Sequence, residues 1–209
     1  MLTILFTAVI FAIIGYLFSK VIRKIAIGLY VIAAIVAVMV GSHEANIISL
    51  GYVPFGILLL VMFMGVLDKG KFRNQLLGVR GEYAIIGTIL LFPHVWGYFE
   101  YYVLELGIIH NKLSFFAGLA ALLVILPLTL TSFRKVRSKL GYKKWKSIHY
   151  VSYLFYALIA THLMFLDNQR FWLYVLIFGA YFVMKTIMLI QPKKAKQKKV
   201  ILHNKHSEG

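Results

Sequence analysis

Three histidines of this 209-residue chain lie inside apolar stretches, and they are the residues with chemistry to offer. His94 sits in FPHVWGY; His149 and His162 sit in SIHYVSYLFYALIATHLMF. A polar ring in so apolar a run is costly unless it faces a partner, a cavity or a bound group. A satisfied interhelical hydrogen bond would account for any one of them, and three on two helices weaken that explanation. The other four, His43, His110, His203 and His206, fall in loops or the tail and read as solvated residues. A metal site built from His43, Glu44 and His110 is the alternative for the loop pair.

Two neutral imidazoles at one depth on facing helices can fill both axial positions of a haem iron, and bundle cores are where such sites are built. Six-coordinate iron leaves no position for oxygen, so electron transfer is the natural task. Zinc would want further ligands, usually cysteine or carboxylate. The chain has no cysteine, which also excludes disulfides, iron–sulfur clusters and thiol catalysis. Glu100 lies about 1.5 turns beyond His94.

The elements that must position these rings are set by composition. Hydrophobic residues make up 61% of the chain, charged residues 14%, and mean hydropathy is +0.81. A soluble domain would carry roughly 45–50% apolar and about 25% charged residues, so lipid is the expected solvent. Apolar runs long enough for a hydrocarbon core of ~30 Å fall at about 2–18, 25–41, 49–67, 82–104, 113–131, 148–166 and 171–190. The expected fold is therefore all-α and integral to the membrane, with about seven transmembrane helices. Residues 1–48 read as an N-terminal hairpin joined by Ser19 to Lys24, 49–190 as the core, and 191–209 as a basic tail. The first run lacks the basic preface of a secretory signal, and the length leaves room for one compact bundle.

Net charge is +16, and its distribution argues for membrane sidedness rather than nucleic acid. Of the 23 Lys and Arg residues, 21 fall in the 19–24, 68–81 and 132–147 links, the tail, or at Lys185; only Lys112 and Arg170 fall in the alternate loops. With seven spans the positive-inside rule puts the N-terminus outside and the C-terminus in the cytoplasm of a multi-pass cell-membrane protein. The lysine-rich tail reads as a flank held near anionic lipid, or as a docking site for an acidic partner.

Depth follows from the helical rise. His162 lies 13 residues, roughly 20 Å, beyond His149, and His94 lies 14 residues, roughly 21 Å, beyond Arg80. His94 and His162 are thus expected at one level in the outer half, with Arg80 and His149 at one level on the inner edge. Thirteen residues turn an ideal helix by about 220°, so either the sixth helix is distorted or His149 serves something else. Arg80 cannot ligate iron; it would pair with a haem propionate or quinone headgroup, or simply snorkel at the inner edge. Pro93 and Pro127 are expected to kink their helices. Trp96, Tyr98, Tyr101 and Tyr102 are expected in the outer aromatic belt.

At LLGVRGEYAIIGTILLFPHVWGYF, with LELG following, and at LPLTLTSFRKVRSKLGYKKWKSIHYVSYLFYALIATH, the chain resembles the ferric-reductase-like transmembrane family. Within it the likeness is greatest to the MsrQ (YedZ) haem-binding membrane subunits of periplasmic methionine sulfoxide reductase systems. The resemblance covers roughly residues 50–190. It implies a six-helix haem bundle plus one extra N-terminal helix, with one or two b-type haems. His94, His149 and His162 fall on the family's haem-ligand positions. NADPH oxidases and STEAP-type metalloreductases share the core but use four histidines for two haems; Arg80 stands at the fourth position here, so the inner site lacks a second imidazole. The resemblance further implies a cytoplasmic flavin reductase or quinol as electron donor, a quinone or FMN bound on the cytoplasmic side, and an extracytoplasmic acceptor such as a sulfoxide reductase partner, ferric iron or a flavoprotein. No flavin or nicotinamide domain is evident, so the chain is expected to act as an oxidoreductase subunit. A seven-helix transporter relaying protons through histidines, and a purely structural subunit, are the competing classes. The scarcity of intramembrane carboxylates counts against the transporter.

Overall fold

The structure is a computed structural model that describes residues 1–41, 46–101 and 111–190, apart from the Asn168 side chain. Its described elements are helical: α1 (Leu2–Lys24), α2 (Ala26–Val40), α3 (Tyr52–Phe63), α4 (Lys71–Leu90), α5 (Phe92–Phe99), α6 (Lys112–Leu130), α7 (Arg134–His149), α8 (Ser152–Leu166), a 3-10 turn (Asn168–Arg170) and α9 (Phe171–Ile190). The tail, the 42–45 segment and the 102–110 segment, with His43, Glu44, His110, His203, His206 and Tyr102, lie outside the described residues.

By length and apolar content four stretches can cross a bilayer: α1, α4 with α5, α6 and α9. A fifth does so if α7 and α8, bent by 41° at their junction, count as one span. The helices α2 and α3 are shorter, 15 and 12 residues. Short as it is, α3 lies inside the bundle. It is the central helix, with Ile57 to Met62 buried on every face, and it contributes to both hydrophobic clusters. A helix apolar all round belongs inside a bundle. Large side chains on α1, α2 and α9, such as Ile27, Met39 and Leu176, point outward as a lipid-facing surface requires.

The three basic links are not loops. The 19–24 stretch completes α1, which bends at Phe18 (φ −118°, ψ 20°) and breaks only at Ile25. Most of the 68–81 link is the opening of α4, and most of 132–147 is α7. Lysine and arginine interrupt hydropathy but are good helix formers, so the charge marks where a helix leaves the apolar layer and not where it ends. Nor do α1 and α2 pack mainly on each other: α1 lies against α3 and α4, and α2 against α4. Small residues allow this. A Cβ at Gly56 of α3 would stand 2.7 Å from the Ile4 carbonyl of α1, so the two backbones touch where a side chain would separate them. The buried Tyr83 hydroxyl of α4 donates to the Phe11 carbonyl at 2.9 Å, and Thr88 meets Thr129 of α6 at 2.8 Å. These bonds satisfy polar groups that lipid cannot.

Pro93 falls in the first turn of α5, just after the α4–α5 break at Leu91, where its missing N–H costs nothing. By contrast α6 runs through Pro127 and ends one turn later. The distortion required between His149 and His162 lies at Tyr150–Val151, where α7 ends and α8 begins.

Candidate functional site

The structure brings His94 and His162 together. Their ring centroids are 6.4 Å apart with planes at 87°, and both line a cavity of about 410 Å³ enclosed by α1, α3, α5, α6, α8 and α9. Its wall is largely apolar, with Leu58, Leu59, Phe115, Phe155 and Phe178 among the lining residues.

Each ring is held from behind by backbone. Around His94, the Asn46 side chain accepts from the backbone N–H groups of Ile48 and Ser49 at 2.9 and 3.0 Å, which shapes the turn before α3. The Ser49 carbonyl of that turn lies 3.1 Å from His94 Nδ1. Around His162, Asn111 caps α6 by accepting from Ser114 N–H at 3.1 Å and donates to the Phe165 carbonyl of α8. The Ser114 hydroxyl donates to the His162 carbonyl at 2.9 Å, and the Ser114 carbonyl lies 2.8 Å from His162 Nδ1. A carbonyl oxygen only accepts, so Nδ1 of both rings carries the hydrogen and the Nε2 lone pair is left for a ligand. Metal-binding histidines are ordinarily fixed by a second-shell contact of this kind.

Two glycines form the seat. A Cβ at Gly118 of α6 would lie 2.8 Å from His162 Nδ1, and one at Gly51 would lie 2.9 Å from His94 Nδ1. Gly51 also has φ +79°, a conformation that L side chains rarely adopt. Tyr98, expected in the aromatic belt, instead packs its ring 4.8 Å from that of His94 and lines the cavity. Trp96 and Tyr101 are exposed.

Arg80 and His149 are also brought together, in a second cavity of about 340 Å³. Arg23, Arg134, Arg137, Glu82, Trp145, Ser152 and Tyr156 share its wall. His149 is arranged differently from the other two. Its Nε2 lies 3.1 Å from Thr131 Oγ1, a hydroxyl that also reaches the Pro127 carbonyl at 2.8 Å. A hydroxyl can accept from an imidazole nitrogen or donate to it, so this contact engages Nε2 and leaves Nδ1 as the other ring nitrogen. No second histidine lines this cavity among the described residues. Arg137 stacks on Trp145 at 4.2 Å, and the Trp145 ring lies 4.3 Å from that of His149. The indole N–H of Trp145 is buried without a hydrogen-bond partner.

Glu82 is the residue that sequence reasoning missed. It is 4% exposed and forms an ion pair with Arg134, accepting from Nε at 2.9 Å. The pair joins α4 to α7. Among the described residues no group of three or more His, Cys, Asp or Glu side chains is placed to hold a metal ion, so the His94–His162 pair would bind a metal only if other ligands came with it, as a porphyrin supplies.

Over 151 residues the chain is 28% identical to an uncharacterized protein of Treponema pallidum, covering 64% of this chain and 42% of that protein. It is 31% identical over 111 residues to the magnetosome protein MamZ of Magnetospirillum gryphiswaldense, covering 51% of this chain and 16% of that one. The MamZ of Paramagnetospirillum magneticum is 29% identical over 94 residues, 41% of this chain and 15% of that one. The chain thus spans under half the length of each of these relatives. No solved structure matches it. The family described as "Ferric reductase like transmembrane component" matches residues 46–160, which include His94, His149 and most of the bundle around them, and this multi-pass membrane protein belongs to that family.

Proposed function

We propose that the chain carries haem b between His94 and His162 and passes electrons across the cell membrane, from a cytoplasmic flavin reductase or quinol to an extracytoplasmic acceptor such as a sulfoxide reductase partner or ferric iron. The observation that carries this reading is the pair of imidazoles whose Nδ1 hydrogens go to the Ser49 and Ser114 carbonyls while both rings line one apolar cavity. The residues fit the group. An imidazole nitrogen binds a first-row metal at about 2.0–2.1 Å, so two rings sharing one metal have centroids roughly 6–6.5 Å apart; the rings here are 6.4 Å apart. Cofactor pockets typically measure about 300–1,000 Å³ and are mostly apolar with a few placed polar groups, as this one is. Bound there, haem would supply a one-electron couple closed to oxygen ligation.

The protein's own part is to fix both rings, exclude water with the surrounding aliphatic and aromatic side chains, and set the path. Leu58, Phe155 and Tyr156 line both cavities, so one layer of side chains separates them. The second cavity would receive electrons on the cytoplasmic side, from an inner haem on His149, a quinone or FMN, with Arg80 toward an anionic or carbonyl group. The N-terminus would be outside and the C-terminus cytoplasmic; reporter fusions at Gly209 and in the 105–112 loop should then report opposite sides.

Protein purified from haem-replete cells is expected to give the reduced-minus-oxidised spectrum of low-spin b-type haem, extractable by acid acetone because no cysteine could attach it. A colourless preparation would reject the reading.

A further inference from the structure

Arg170 stands where the charge pattern of the chain disfavours a cation. It is one of only two Lys or Arg residues in the loops away from the basic side. The structure puts it at the end of the turn between α8 and α9, in the wall of the His94–His162 cavity, where it is the one cation among the described lining residues. Asp167, also in that wall, accepts from Arg170 Nη1 at 3.0 Å and from its backbone N–H at 3.3 Å. A guanidinium has five N–H donors in a planar fork. The Asp167 side chain takes a bond from one of them and the Tyr174 hydroxyl engages the fork as well, so these contacts steer the fork while leaving it donors for a second carboxylate. The two side chains are 47% and 27% exposed, so the pair sits at a mouth and not in the depth of the cavity.

A molecule with an apolar body and a carboxylate edge fits this asymmetry. Its body would lie among Leu58, Phe115, Phe155 and Phe178, where an unpaired charge is costly, and its carboxylate would lie at the mouth, where a bidentate arginine bond is strong and specific. Resting on the haem reading above, we propose that Arg170, oriented by Asp167, is a carboxylate subsite that holds a propionate of the haem seated between His94 and His162.

The test separates charge recognition from iron ligation. Apo-protein from haem-deficient cells is reconstituted with haem or with haem dimethyl ester, and release to excess apomyoglobin is timed for each. Wild type should lose the ester at least tenfold faster, relative to haem, than Arg170→Gln does, because the glutamine variant no longer distinguishes the two. Arg170→Lys should recover part of the discrimination, and every variant should keep the low-spin spectrum since both histidines remain. An Arg170→Gln protein that discriminates as wild type does would overturn the subsite alone. A wild type that takes up neither compound would overturn the haem reading, and the subsite with it.

Discussion

The seat behind His162 makes a quantitative test of the site. In Gly118→Ala the new methyl would stand 2.8 Å from Nδ1 and 3.0 Å from Cε1 of the imidazole. Ordinary contact begins at 3.4 Å, so the ring must retreat by about 0.6 Å. It cannot do so freely, because Nδ1 is bonded to the Ser114 carbonyl at 2.8 Å on the same helix. Metal–ligand bonds tolerate about 0.2 Å, and disturbing a second-shell contact commonly costs about 10–100-fold in metal affinity. Gly118→Ala should therefore lower haem affinity by about that factor, or leave a high-spin iron with one histidine. The assay is haem-to-protein ratio and spin state after purification, beside Gly179→Ala. Gly179 is a glycine of α9 with nothing within 4 Å of its Cβ position, where alanine should instead favour the helix by up to about 1 kcal/mol. Gly51→Ala, whose methyl meets His94 and whose φ is +79°, should behave like Gly118→Ala and also melt at lower temperature. Full low-spin haem in Gly118→Ala, equal to that in Gly179→Ala, would refute the seat.

Two further substitutions probe the basic cavity. His149→Ala should keep the low-spin signal of the His94–His162 pair while slowing reduction from the cytoplasmic side; if it removed all haem while His162→Ala kept it, the pairing would be wrong. Glu82→Gln should loosen α7, since that helix has no buried residue of its own and loses its ion pair to α4. The cost should be only about 1 kcal/mol because solvent screens half-exposed Arg134, seen as faster tryptic cleavage between Arg134 and Lys146; unchanged cleavage would show that the pair does not hold α7.

The meeting of His94 and His162 was legible because depth along parallel helices is a one-dimensional quantity fixed by the helical rise, and the two counts start from Arg80 and His149, which line one cavity. The seat was not legible. Ser49 lies 45 residues from His94, and Ser114 lies 48 from His162; a backbone carbonyl leaves no mark in the sequence. Gly51 and Gly118 acquire meaning only once the opposing ring is known. Glu82 was missed for a related reason. Hydropathy starts the fourth span at residue 82, which makes Glu82 an edge residue, whereas α4 starts at Lys71 and carries it three turns into the bundle. The 220° mismatch between His149 and His162 did carry information, since a bend does separate them. The two rings also differ in their bonds, one held through Nδ1 and the other through Nε2, and the mismatch alone did not reveal that.

On the proposed reading, the charge distribution bears on the direction of transfer. Four arginines line the basic cavity, and the carboxylate there, Glu82, is engaged by Arg134. Among the described residues, the cavity of the histidine pair has Arg170 as its one cation, with Asp167 beside it. An electron is therefore held more strongly at the basic end, and in surroundings less polarizable than water the difference is not negligible. Outward transfer past Leu58, Phe155 and Tyr156 would run uphill unless the occupant of the basic cavity brings its own negative charge. A propionate or phosphate against Arg80 and Arg137 would do so, lifting the energy of the electron there and levelling the step. A neutral occupant would leave the full offset for the acceptor to supply. On that reading the arginines would select an anionic occupant on two grounds, because they would bind it and because the electron could not leave readily without it.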